Sequence, residues 1–194
     1  MTDHVPSTAS RALQCLQELS LEKGLDDVSM RDVAKRLGIS LAALQYHYAS
    51  KAALLDAFVH QTVEGYRRRI DAILATSPKG ELFANLVRFA TLETLEWDRH
   101  SVLAMIESRA THDEAAKRAI LLFYRSYIGA MRDALIADDP DLAPARAHMS
   151  AILVISMLEG LPSLVEPAGE LGIDADTVLN AIVQVSKIVP SALA

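Results

Sequence analysis

Between Met30 and Leu55 the chain reads Met-Arg-Asp-Val-Ala-Lys-Arg-Leu-Gly-Ile-Ser-Leu-Ala-Ala-Leu-Gln-Tyr-His-Tyr-Ala-Ser-Lys-Ala-Ala-Leu-Leu. Met30, Val33, Ala34 and Leu37 fall at i, i+3, i+4 and i+7, one face of a helix. Ser29 stands at the N-cap position, and Asp32 completes an acidic variant of the capping box. Gly38 follows the last periodic residue, where a left-handed helix end favours a residue without Cβ. Ile39 can plug the corner, and Ser40 can cap a second helix of about two turns. On that helix Leu44, with Tyr48 four residues on, can face the core, which turns Leu41, Ala42, Gln45 and Tyr46 outward. Ser50 caps a third helix with Lys51 in its first turn. A cation there opposes the helix dipole, so a phosphate contact explains Lys51 better than helix stability does. Two short helices about a glycine turn form a helix-turn-helix, whose second helix enters the major groove of DNA.

The remainder of the chain reads as helix. Apolar residues make up 51% of 194 residues, enough for a sizeable core. No alternating apolar run of strand length and no hairpin signal stands out, so the fold class is all-α. Periodicity, read together with the family resemblance given below, places about nine helices: Thr8–Lys23, Met30–Leu37, Leu41–His47, Lys51–Thr76, Glu81–Asp98, Ser101–Ala110, Asp113–Ile136, Pro144–Glu159 and Asp174–Val189. The long helix from Lys51 is expected to bridge two domains. Residues 1–50 would form a helix-turn-helix DNA-binding domain, and residues 51–194 a helical ligand-binding and dimerisation domain.

The segments Ser29-Met-Arg-Asp-Val-Ala, Leu37-Gly-Ile-Ser, Leu44-Gln-Tyr-His-Tyr and Ser50-Lys51-Ala-Ala-Leu-Leu, preceded by the helix from Thr8 to Lys23 that ends at Gly24, resemble the TetR family of bacterial transcriptional regulators. The specific likeness covers roughly the first third of the chain; the rest agrees in length and helical content. It implies a homeodomain-like DNA-binding domain in a homodimeric repressor, released from a palindromic operator in double-stranded DNA when a small apolar ligand binds the C-terminal domain. This sequence departs from the family in having Ala42-Ala43 where a small-polar pair is common, and Gln45 where tyrosine is common. Arg31, Gln45 and Tyr46 are the candidates for groove contacts, and Ser29, His47 and Lys51 for phosphate contacts. Leu41, Ala42 and Ala43 would lie close to the DNA. Gln45 can pair with adenine and apolar side chains can touch thymine methyls, so readout is expected to lean on A·T pairs.

Charge is distributed unevenly. Of the net −6, the chain through Arg69 contributes +1, from nine Lys and Arg against eight Asp and Glu; the remainder holds ten against seventeen, giving −7. The basic footprint is weak, so specificity would depend on dimeric docking. The last helix carries Val178, Leu179, Ile182, Val183, Val185, Ile188 and Val189 around most of its circumference, and such a helix must be buried on two sides. Paired with the helix holding Ile152, Leu153 and Ser156, it would meet a symmetry mate in a four-helix interface between the last two helices of each protomer. Two recognition helices would then sit about 34–36 Å apart, or a multiple of that.

A small-molecule site is suggested by Glu93, which continues the apolar stripe of Leu82, Leu86 and Phe89. A carboxylate there must be paired, protonated or solvated by a cavity. Phe89, Glu93, Trp97, Met105, Tyr124, Tyr127 and Met131 are the candidate lining residues. Arg67, Arg68 and Arg69 read as a solvated face, as do Arg88, Arg109 and Arg125. No cofactor, metal site or enzyme activity is expected: His100, His112 and His148 are scattered, and no metal-ligand spacing, phosphate loop or nucleophile elbow appears. The single cysteine, Cys15, excludes an intrachain disulfide and reads as a core thiol. No signal-like N-terminus is present, and the longest uncharged apolar run, Met149 to Leu158, is too short to span a bilayer, so the expected location is the cytoplasm without membrane association. The alternative reading is a helical ligand-binding or scaffolding protein whose DNA binding is lost or secondary.

Overall fold

The computed structural model describes residues 7–161 and 174–192. Among them lie nine helices and no strand: α1 (Thr8–Lys23), α2 (Met30–Leu37), α3 (Leu41–His47), α4 (Lys51–Thr76), α5 (Leu82–Leu95), α6 (Trp97–Ala110), α7 (Glu114–Asp138), α8 (Pro144–Gly160) and α9 (Ala175–Ala192). The first four begin and end where periodicity and the resemblance together place them. The expected helix Glu81–Asp98 is interrupted: Glu96 is extended (φ −83°, ψ 101°), with its N–H bonded to the Leu92 carbonyl, and α6 begins at Trp97 rather than Ser101.

The chain forms two compact units. The first comprises Met1–Glu64 and Ser101–Ile120, the second Gly65–His100 and Leu121–Ala194. The first unit therefore extends past residue 50 and includes a segment from the middle of the sequence.

In the first unit α1, α2 and α3 pack on one another. Their shared core contains Leu16, Val28, Val33 and Leu44, each no more than 1% exposed. Cys15 joins this core with its thiol directed at the Val33 carbonyl, and burial raises its pKa. Each early helix carries its own start. The Ser7, Ser29, Ser40 and Ser50 hydroxyls accept the N–H of the residue three further on, satisfying amides that have no partner inside the helix. Gly38 ends α2 at φ +69°: its N–H meets the Lys35 carbonyl while that of Ile39 reaches back to Ala34, the paired closure that a left-handed residue permits.

In the second unit α5 packs on α8 and α9, and these two pack on each other. Phe83, Leu86, Val87, Val154, Leu158 and Val183 are buried there. The start of α5 is secured differently. Glu81 makes no side-chain cap; the Asp138 carboxylate at the end of α7 instead accepts the N–H groups of Gly80, Leu82 and Phe83 at 2.7, 3.2 and 2.9 Å.

Candidate nucleic-acid interface

α3 is seven residues long and is held from behind. Leu44 is fully buried, and the Tyr48 hydroxyl just past the helix donates to the Ala9 carbonyl of α1 at 3.2 Å. Desolvation raises the Tyr48 pKa, keeping it a neutral donor. With Leu44 fixed inward, Ala42, Ala43, Gln45, Tyr46 and His47 are exposed and Leu41 is half-buried. Tyr46 is 87% exposed, the most exposed of the large hydrophobic side chains among the described residues, and its ring meets His47 edge-on at 5.3 Å. A bare tyrosine and a glutamine on the outer face of a helix clamped at its inner face have no role in this unit's own packing.

The neighbouring candidates divide. Arg31 is exposed at the first turn of α2. Ser29 is committed: its hydroxyl and its N–H both donate to Asp32 Oδ2, at 2.6 and 2.8 Å, so it has no proton left for a phosphate. The same Asp32 oxygen pairs with Lys23 at 2.9 Å, tying the end of α1 to the start of α2. Those hydrogen bonds, from Lys23 first and then Ser29, hold the Asp32 carboxyl well below the usual carboxylate range. Lys51 Nζ donates to the Asp26 carbonyl, a structural role not anticipated from sequence. An ammonium has three protons, so two remain for phosphate. Arg36 is engaged by Glu22 through both carboxylate oxygens, at 3.0 and 2.8 Å.

Arg109 is not a solvated cation. Its side chain is 15% exposed and bridges Asp26 at 2.9 Å and Asp113 at 2.5 Å. The α1–α2 loop is thereby joined within the first unit to the end of α6. Arg109 lies 83 residues from Asp26, and no local sequence pattern marks such a pair.

The proposed ligand residues also separate. Glu93, Tyr127 and Met131 are buried, while Phe89 and Tyr124 are half-buried, all in the second unit. Met105 is half-buried and belongs to the first unit. The side chain of Trp97 lies outside the described residues, as do those of Leu179 and Ile188 on α9. Glu93 is paired with Arg69 at 2.8 Å, so Arg69 too departs from the solvated face expected of it. Two further aromatics, Tyr66 and Phe123, join Tyr124 and Tyr127: Phe123 meets the three tyrosine rings at 5.2–5.7 Å. Burial, then the negative charge of Glu159, raises the Tyr127 pKa, holding the phenol neutral.

Residues 17–58, spanning the end of α1, all of α2 and α3 and the start of α4, match the family model of bacterial regulatory proteins, tetR family. That segment is similar to the N-terminal domain of the family. Solved structures extend the likeness over the whole chain. A transcriptional regulator from Rhodococcus sp. Rha1 superposes with a TM-score of 0.78 at 18% identity, covering 96% of this chain and 97% of that one. A TetR transcription regulator from Haloarcula marismortui gives 0.76 at 18%, over 95% and 96%. A protein from Saccharomonospora viridis, described as a transcriptional regulator and solved in complex with choline, gives 0.76 at 22%, over 90% and 92%. At these identities the structures establish the fold, which is that of a tetR-family transcriptional regulator with an N-terminal helix-turn-helix. Among the described residues no group of His, Cys, Asp and Glu could hold a metal, and no helix is long and apolar enough to cross a membrane.

Proposed function

We propose that this chain is a homodimeric repressor that binds a palindromic operator and is released from it by a small ligand. The observation that carries the DNA-binding part is the outer face of α3. Gln45 and the 87%-exposed Tyr46 stand there over a helix fixed by the buried Leu44. Arg31, Gln45 and Tyr46 read the groove, and Leu41, Ala42 and Ala43 lie against it. His47 and Lys51 contact phosphate, and Ser29 supports them as a cap. The reading domain is the segment 1–50, and 51–194 binds ligand and dimerises.

Dimerisation is supported by the apolar residues that α8 and α9 leave exposed. Met149 and Leu153 on α8 are 47% and 40% exposed, and Val185 on α9 is 41% exposed. Two mutually packed helices with such faces suit a four-helix contact with a second copy. The ligand role is supported by Phe89, Glu93, Tyr124, Tyr127 and Met131 in the second unit, a set of apolar bulk with polar handles. The S. viridis protein, which shares the fold, was solved with a small molecule.

The test is selection of bound sites from random duplex DNA, followed by titration against salt and sedimentation of the complex. A palindromic site bound by two copies, with affinity falling as salt rises, is expected. A chain that stays single and ignores every duplex in dilute buffer overturns the proposal. Gln45→Ala should lose about 1–3 kcal/mol of discrimination at one base pair of each half-site. An equal loss across all single-base variants removes Gln45 as a base reader.

A further inference from the structure

Asp26, in the turn between α1 and α2, is gripped at two of its groups. Its carboxylate Oδ1 accepts Arg109 Nη1 at 2.9 Å, and its main-chain carbonyl accepts Lys51 Nζ. Arg109 is itself fixed from behind. Its second terminal nitrogen meets Asp113 Oδ2 at 2.5 Å, while Asp113 Oδ1 takes the amides of Ala115 and Ala116 at the start of α7. The Ala116 amide, then the charge of Arg109, lower the Asp113 pKa and keep it a carboxylate. The Arg109 side chain is 15% exposed and that of Asp26 60%, so the guanidinium is the settled partner and the turn the dependent one. Leu25 and Val28 bury the ends of the turn. Between them the exposed Asp26 side chain relies on Arg109, because His112, 3.9 Å from Oδ2, stands beyond hydrogen-bond distance. All of these residues belong to the first unit. An exposed carboxylate beside a lysine assigned to phosphate repels DNA, so charge alone disfavours an aspartate at this place.

We propose that Arg109 is a positioning residue for DNA binding: by holding the Asp26 carboxylate it fixes the carbonyl that orients the Lys51 ammonium toward phosphate. This rests on the DNA-reading role proposed above. A lysine ammonium on its four-carbon stem samples many rotamers, and ordering it on binding costs entropy. One proton given in advance to a fixed carbonyl removes part of that cost and leaves two protons for the duplex backbone. A carbonyl suits this task because it directs the ammonium without cancelling its charge. The carboxylate of the same residue would cancel it, and Arg109 keeps that carboxylate engaged. The turn thus gives its neutral oxygen to Lys51 and its charged oxygen to Arg109. Arg109 lies outside the segment 17–58 that matches the family model, so the reading head draws on a side chain from the end of α6.

The test is binding of the full-length chain to the duplex selected as above, titrated against salt. Asp26→Ala decides by sign. If charge alone matters, removing an anion tightens DNA binding. If the hold matters, binding weakens about threefold or more, and the salt slope falls by about 1 per protomer, the share of one phosphate. Arg109→Met, which keeps the apolar stem, should lose the same slope. Arg118→Met removes an equal charge from an exposed position on α7 in the same unit and should leave the slope unchanged. A merely structural defect lowers the fraction of competent chain, which weakens binding equally at every salt concentration and leaves the slope alone. Lys51→Met should lose the same slope as Asp26→Ala, and the two together should lose no more than either. Tighter or unchanged binding by Asp26→Ala overturns the proposal, as does a double variant whose slope losses add, or an equal loss in Arg118→Met; the DNA-reading role of α3 survives all three. Should Arg109→Met fail to fold, Asp26→Ala, made at an exposed side chain, still decides. A parent chain that binds no duplex overturns the positioning role together with the DNA-reading role.

Discussion

The two compact units start their helices by different means. In the first, α1 to α4 each open on a serine whose hydroxyl takes an amide three residues away. In the second, α5 has no cap of its own and is anchored by Asp138, 55 to 58 residues distant, α8 opens on Ala143 with Pro144 in its first turn, and of the three α9 alone has a local cap, Asp174 accepting the Thr177 amide. Local caps fix the register of short helices one by one. That suits the DNA-reading role proposed for the first unit, in which the outer face presents particular side chains at particular heights. Remote anchoring makes the start of one helix depend on the position of another, which suits the ligand response proposed for this unit.

Four measurements bear on this contrast. Leu44→Ala should have the largest effect, about 2–5 kcal/mol in denaturant unfolding, because the cavity opens behind the only fully buried side chain of α3. DNA binding should vanish with it; retained binding would mean that α3 does not need its inner anchor. Asp138→Ala should cost about 2 kcal/mol, since three backbone amides lose a charged acceptor. Ser29→Ala should cost about 1 kcal/mol, the usual scale for a single cap. If Asp138→Ala proves cheaper than Ser29→Ala, the distinction between local and remote anchoring collapses. The smallest effect is a pH dependence. The Asp32 carboxyl titrates below its ordinary value, so its stabilisation is present above about pH 4 and fades as pH falls through the lowered native value. Asp32→Asn should therefore lower the melting temperature at neutral pH, with the gap closing on acidification. A gap that ignores pH would remove the charged capping box from the account.

The same contrast decides what could be read from the sequence. The bounds of α1 to α4 were legible because their signals lie within a few residues of the ends they mark. The break at Glu96 was not, because neither glycine nor proline stands there and the backbone turns extended within an apolar pattern. Asp113 and Asp174 were read as first helical residues; they sit just before α7 and α9 and accept amides from Ala115 and Ala116, and from Thr177. In the candidate interface the outward set on α3 followed from Leu44 alone. The commitment of Ser29 to Asp32, the Lys51 bond to the Asp26 carbonyl and the Arg109 bridge required coordinates, because each depends on where a flexible polar side chain finds its partner. Arg69 shows this most plainly: within an arginine run, its pairing depends on the position of Glu93 on another helix.

The Asp138 anchor also orders events in time. Synthesis proceeds from the N-terminus, so α5 leaves the ribosome well before the carboxylate that will hold its first turn. Until the last turn of α7 arrives, the amides of Gly80, Leu82 and Phe83 face water, and the start of α5 is free to fray. The reading head carries every one of its serine caps from the outset. A nascent chain cut between residues 120 and 138 would therefore own a complete first unit and a second unit without its anchor.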